Sequence, residues 1–218
     1  MVAIGESPAS ALLPVAALGD ALDRLGHRDQ ALGSSIRPVA GEGPIFGPAF
    51  TIQAVAHPAL SERPYEKELA AVDAIPDGGV VVFSAGGMTE TGIWGELLST
   101  RAIARGGVGA IVDGGVRDLA GMRRLGFTVF ASAVHPADSY GRAEVISFGE
   151  PIVCGGVAVN PGDLIAADVD GVLVIPAAVA ERCVRDAIEK LEKEDQARVM
   201  LRDDGASVQE TYARHGVL

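Results

Sequence analysis

The chain is short of aromatics, cysteine and positive charge, and each shortage excludes something. Aromatic residues make up 5% of the 218 residues, so a core must be assembled from Ala, Val, Ile and Leu. There are two cysteines, Cys154 and Cys183, and no CxxC or Cys/His cluster. Neither a zinc knot nor a disulfide scaffold is indicated, and both thiols read as small buried hydrophobes in a reducing compartment. Lys and Arg number 18 against 29 Asp and Glu, a net charge of −11. That balance argues against a nucleic-acid partner or an anionic membrane surface. An acidic ligand would have to meet a local cation: an Arg, a Lys or a metal ion.

The catalytic signatures of several large classes are also missing. His27, His57, His135 and His215 are scattered, with no HExxH spacing. No GxSxG, GxxxxGK[ST] or strand-borne GxGxxG is present, which removes the motifs of serine hydrolases, P-loop enzymes and dinucleotide binders. No apolar run approaches the ~18 residues of a membrane span. No Lys or Arg precedes Arg24, so the basic start of a secretory leader is lacking. The expected location is cytoplasmic.

What the chain does have is 28 glycines and 48% hydrophobic residues, enough for one packed α/β domain with many tight turns. Residues 16–25 carry apolar residues at helical spacing and end at Gly26, a C-terminal capping glycine. Residues 41–47 read as loop, and residues 49–56 alternate like a half-buried strand. Residues 66–72 form a short helical segment. Buried strands are predicted at 79–84, 109–112 and 128–133, a glycine- and threonine-rich loop at 85–92, and a helix at 94–105. Residues 144–175 read as short strands and turns. Residues 177–201 form a long amphipathic helix, with a short helix near 208–214. The expected organisation is a single domain over 1–218, of which 177–218 is a C-terminal helical extension. That long helix shows few core partners in the sequence and is expected to pack on a neighbouring subunit. Lys67, Lys190 and Lys193, and Glu189, Glu192 and Glu194, read as solvated.

Two segments carry chemistry. The first is Asp113-Gly-Gly-Val-Arg-Asp118, between a buried strand and a helix, where ligands of α/β sheets gather. The glycines allow close backbone approach. Arg117 offers a donor fork for a carboxylate, and Asp118 offers hard oxygens for Mg²⁺ or Mn²⁺. The alternative is that Asp118 caps the next helix and Arg117 lies on the surface or pairs with Asp113. The second segment is Gly92-Ile-Trp-Gly-Glu-Leu-Leu98, a glycine-rich run into a helix whose first N–H groups attract anions. Glu96 there either serves the chemistry or complements the helix dipole.

Together the two segments resemble the RraA-like family, which includes 4-hydroxy-4-methyl-2-oxoglutarate/4-carboxy-4-hydroxy-2-oxoadipate aldolases and a regulator of ribonuclease E. The resemblance runs through Trp94 to Ala131, Gly47 to Gln53 (GPAFTIQ) and Gly155 to Pro176. It implies a swivelling β/β/α domain, assembled as a homotrimer or dimer of trimers with the site between subunits. It implies that Asp118 ligates Mg²⁺ or Mn²⁺, that Arg117 binds substrate, and that Gly95, Glu96, Leu97 and Leu98 grip a small 2-oxo acid, with Glu96 contacting a metal-bound water. Glu189, Glu192 or Glu194 of a neighbouring subunit could approach the metal. The implied activity is metal-dependent cleavage of a 4-hydroxy-2-oxo acid to pyruvate, with oxaloacetate decarboxylation. A non-catalytic regulator that masks a protein surface and a lyase acting on another oxo acid are the alternatives.

Overall fold

The computed structural model describes residues 13–60 and 62–217. Helix α1 (Val15–Arg24) buries Val15, Leu18, Ala21 and Leu22, positions three and four apart that share one face. Gly26 follows it at φ 85°. The centre of the molecule is a run of parallel strands joined by helices. β2 (Ile45–Ala56) leads through α2 (Glu66–Asp73) to β3 (Val80–Trp94). α3 (Glu96–Ala104) leads to β4 (Gly109–Val116), and α4 (Leu119–Leu125) to β5 (Val129–Val134).

β1 (Arg37–Ala40) adds antiparallel to β5. β9 (Leu164–Asp168) and β6 (Ala143–Phe148) occupy successive parts of the free edge of β2. β10 (Gly171–Ile175) pairs antiparallel with β9. Ala31 bridges Leu173 of β10, and the Arg37 guanidinium donates to the Asp170 carbonyl at 3.0 Å. The two ends of the sheet thus nearly meet, as in a barrel.

Alternation along β3 explains the layers. Val81 and Phe83 face a core shared with Val72, Ile75, Trp94, Ala102 and Met122 beneath α2, α3 and α4. Val80 and Val82 face the opposite core, where Ile111, Phe130 and Ile165 meet the small hairpin of β7 (Ile152–Cys154) and β8 (Val157–Val159). This is the expected β/β/α arrangement. Cys154 and Cys183 are free and buried as expected. Burial pushes both thiols up, and the neighbouring carboxylates Asp113 and Asp186 add to it.

Several expectations need correction. β2 begins at Ile45, inside the segment read as loop. Residues 85–92 belong to β3, which bulges against β4: Ser84 pairs with Asp113 and Trp94 with Val116, so the extra residues loop out between them. The long helix α5 (Ala180–Arg202), after a 3₁₀ turn at Ala177–Val179, has partners in its own chain. Ala180, Cys183 and Ala187 join α1, Leu164, Ala166 and Ile175 in a third core. Lys190 is not solvated: it is 8% exposed, 2.7 Å from Asp20 of α1, and bonded to Glu194 one turn on. A buried ammonium survives only with such partners. α6 (Val208–His215) begins with a capping box between Ser207 and Glu210. Among the described residues no helix is long and apolar enough to cross a membrane.

Candidate active site

The parallel strands deliver their carboxyl ends to one edge of the sheet, and the Asp113–Asp118 segment arrives there on β4. Gly115 is required by contact: a Cβ on it would lie 2.3 Å from the Thr91 carbonyl oxygen of the bulged β3. The Arg117 N–H donates to the Trp94 carbonyl at 2.9 Å, which locks the end of β4 to the end of β3. Asp118 then adopts φ 58°, ψ 34°, a left-handed conformation that strains most L-residues and is borne best by Asn, Asp and Gly. Its side chain makes no capping bond to α4. Asp118 thus holds the N-cap position of α4 expected of it, but without the side-chain bond of a cap, and its carboxylate has no capping duty.

Asp113 does not join the site. Its oxygens accept from the Gly155 N–H at 3.0 Å and the Ser132 hydroxyl at 3.2 Å, tying the β7–β8 hairpin to the sheet. Arg117 pairs instead with Asp138, 3.4 Å from Nη2, and with Asp118, 3.8 Å from Nε.

Arg117 and Asp118 line a cleft of about 220 Å³ with Gly92, Trp94, Gly95, Leu97 and Leu98 from the β3–α3 junction. Gly95 leaves room for the Asp118 carboxylate, which a Cβ there would meet at 2.7 Å and push aside. It is followed by α3, whose start has no side-chain cap. The first internal bond of α3 runs from the Ser99 N–H to the Gly95 carbonyl. The N–H groups of Glu96, Leu97 and Leu98 therefore have no acceptor within the helix, and Leu97 and Leu98 share the cleft with Arg117. Such a helix start suits a carboxylate. Glu96 itself is not in the lining. Its side chain runs along α4, where a Cβ on Gly121 would lie 2.6 Å from Glu96 Cγ. Among the described residues no cluster of three or more His, Cys, Asp or Glu is arranged to hold a metal, and Glu189, Glu192 and Glu194 lie outside the lining of the cleft.

The far wall holds residues that sequence reasoning missed. Tyr65, just before α2, is at φ 64°. Tyr65 and Asp118 are the only non-glycine residues with positive φ among those described, and both face this cleft. The Tyr65 hydroxyl donates to Asp138 at 2.6 Å. Burial alone would raise the Asp138 carboxyl, but the bond from Tyr65 and the Arg117 guanidinium outweigh it and hold it below the ordinary carboxylate range. Burial, then the bond to Asp138 and its charge, push the Tyr65 phenol up to about 12. Glu68 of α2 is 8% exposed. Burial, then the charge of Asp138, push its carboxyl up to about 7 against the opposing pull of Arg117. A signal for Glu68 exists in the sequence: Glu68, Ala71, Val72 and Ile75 are spaced like one helix face, so a carboxyl sits on the buried stripe. Asp138 lies in a loop and has no such signal.

Comparison with known proteins bears on this geometry. Residues 15–174 match the RraA-like family profile, described as Aldolase/RraA. Protein DlpA of Legionella pneumophila is 34% identical over 74% of this chain, but the chain spans only 26% of DlpA's length. A protein of Halalkalibacterium halodurans named "Putative 4-hydroxy-4-methyl-2-oxoglutarate aldolase" is 33% identical over 85% of this chain and 83% of its own. Among solved structures, RraAS2 of Streptomyces coelicolor, described as an unusual member of the RNase ES inhibitor RraA protein family, superposes with a TM-score of 0.78. It is 28% identical, over 88% of this chain and 95% of that one. An uncharacterized protein of Pseudomonas syringae superposes with a TM-score of 0.83 at 26% identity, over 94% of this chain and 91% of that one.

Proposed function

We propose that this chain, which belongs to the RraA-like family, is a carbon–carbon lyase that cleaves a 4-hydroxy-2-oxo acid to pyruvate and a second oxo acid. The observation that carries the reading is the meeting of Arg117 and Asp118 in one cleft, with the Asp118 backbone held left-handed and its carboxylate free of capping duty. Strain of this kind persists where the surrounding structure imposes it, and it gathers at sites of function.

The residues fit the chemistry. A substrate carboxylate docks on the unsatisfied N–H groups of Glu96, Leu97 and Leu98. Arg117, steadied by Asp138, sets its charge beside the substrate's 2-oxo group, where negative charge develops as the bond breaks. Asp118 would hold Mg²⁺ or Mn²⁺. One protein carboxylate suffices for a cation that keeps several waters and takes substrate oxygens, and the Asp118 side chain is 51% exposed in the cleft. When bound, the ion supplies Lewis-acid polarisation of the 2-oxo group. Glu96, whose side chain lies against α4 outside the cleft lining, would have to turn toward the cleft to order water there, the role assigned to it. Oxaloacetate would lose carbon dioxide by the same route, because it leaves the same pyruvate enolate.

We also propose the homotrimer or dimer of trimers. Leu97 and Leu69 line the cleft at 80% and 56% exposure, apolar surface that a neighbouring subunit would cover. A regulatory protein-binding role, suggested by the inhibitor family to which the Streptomyces neighbour belongs, is the second reading. One assay separates the two. The protein is mixed with Mg²⁺ and either 4-hydroxy-4-methyl-2-oxoglutarate or oxaloacetate, and pyruvate is coupled to lactate dehydrogenase. Pyruvate release that EDTA abolishes is the expected result. No release above the uncatalysed rate would leave the binding role standing and remove the lyase.

A further inference from the structure

Glu68 is a carboxyl on the buried face of α2. It makes no hydrogen bond or ion pair with any described residue. Yet no buried side-chain oxygen lacks a partner among the described residues, so the Glu68 oxygens must open onto the space they line. That space is the Arg117–Asp118 cleft, a small cavity walled by Ala54, Phe83, Ile93 and Val145, and a hollow that Glu68 shares with His57, Lys67, Tyr140 and Glu144.

The charged groups around it divide clearly. From the β4 end comes Arg117, and from the loop after β5 comes Asp138. Tyr65 shares the cleft wall but stays protonated and donates to Asp138. Glu144 of β6 reaches the small cavity and pairs with His57 at 3.6 Å. α3 offers only Leu97 and Leu98 of its first turn to the cleft, and Arg101 further along pairs with Asp73. Of the acids on this wall, Asp138 is held ionised and Tyr65 is held neutral. Glu68 alone changes charge near neutrality, as a proton carrier must.

We propose that Glu68 is the base that removes the 4-hydroxyl proton in carbon–carbon cleavage, an assignment that rests on the lyase reading above. In the step, the hydroxyl O–H bond breaks and its proton passes to a Glu68 carboxylate oxygen. The freed pair forms the new C4 carbonyl. The C3–C4 pair becomes the C2–C3 double bond, and the C2 carbonyl pair moves onto the oxygen beside Arg117. Water then protonates C3, and Glu68 returns its proton to solvent, so the enzyme is unchanged.

Oxaloacetate has no hydroxyl to deprotonate, and this separates the base from the electron sink. Glu68→Gln should lower the ratio of the 4-hydroxy-4-methyl-2-oxoglutarate cleavage rate to the oxaloacetate decarboxylation rate by about 100-fold, within the range of a positioned general base. Wild-type cleavage should fall as pH drops through about 7, and Glu68→Gln should flatten that limb while Glu68→Asp keeps one. A ratio lowered less than tenfold in Glu68→Gln, with the protein folded by circular dichroism, would overturn the assignment and leave the lyase reading intact. Wild-type protein silent on both substrates with Mg²⁺ would overturn the lyase reading and the assignment with it.

Discussion

Replacing Glu68 by glutamine should stabilise the protein in a pH-dependent way. Burial, reinforced by Asp138, moves this carboxyl from 4.5 to about 7. A raised carboxyl pKa means that the fold favours the protonated form. The stability it brings is full below pH 4.5 and is lost as pH rises through about 7. At roughly 1.4 kcal/mol for each pKa unit, the whole loss is about 3 kcal/mol. About 2 kcal/mol of it falls between pH 5.5 and 8.5, a window clear of the isoelectric point near 4.8. Glutamine keeps the shape of the side chain and cannot ionise, so subtracting the two proteins removes the titration of other groups. Urea unfolding at pH 5.5, 7.0 and 8.5 reads the difference directly. The variant's advantage over wild type should grow by about 2 kcal/mol across that range, or by roughly 4–8 °C in melting temperature. A difference flat to within ~0.5 kcal/mol would show that Glu68 titrates as an exposed carboxyl does, and would remove the desolvation argument.

Glycine substitutions at the site should separate function from fold. A Cβ on Gly95 meets the movable Asp118 carboxylate at 2.7 Å, so Gly95→Ala should lower kcat/KM at least ~10-fold while melting shifts by less than ~4 °C. A Cβ on Gly115 meets the Thr91 carbonyl of β3 at 2.3 Å, and Gly115→Ala should reduce stability, seen as a lower urea midpoint. Asp118→Asn keeps a residue that tolerates the left-handed backbone. It should fold normally yet lose Mn²⁺ binding, measured by electron paramagnetic resonance, along with turnover. Arg117→Lys should lose ~2–4 kcal/mol of transition-state stabilisation, read from kcat/KM, and an unchanged value would take Arg117 out of the mechanism.

Much of the fold was legible because apolar periodicity follows burial. Strands β4 and β5 and helices α1, α2 and α5 lie where the pattern placed them, to within a few residues. The extension of β3 was not legible. Gly86, Gly87 and the Thr–Glu–Thr run read as loop on local propensity. They remain in a strand because Gly114 and Gly115 of β4, lacking Cβ atoms, admit the bulged backbone at contact distance. That cause lies on a different strand, out of reach of any window along β3. The early start of β2 has a similar origin, since residues 45–48 pair with β9, more than a hundred residues away.

The site divides along the same line. Arg117, Asp118 and the start of α3 were legible because each is local to a strand–helix junction. Asp138 was not, because only the fold brings its loop to Arg117. Glu68 and Lys190 are the instructive pair, since each is a charged residue at a position where helical spacing demands an apolar one. Lys190 falls in line with Cys183, Ala187 and Ala197 on α5, and the fold answers it with Asp20 and Glu194. Glu68 falls in line with Ala71 and Val72 on α2, and no described residue answers it. A buried charge that finds its counterion ties two helices together and is finished. A buried carboxyl left without one, beside a guanidinium and facing a cleft, must either stay protonated or exchange its proton with whatever enters. The physical difference between scaffold and chemistry on these two helices is therefore the presence or absence of a partner, which the sequence leaves open until the chain is folded.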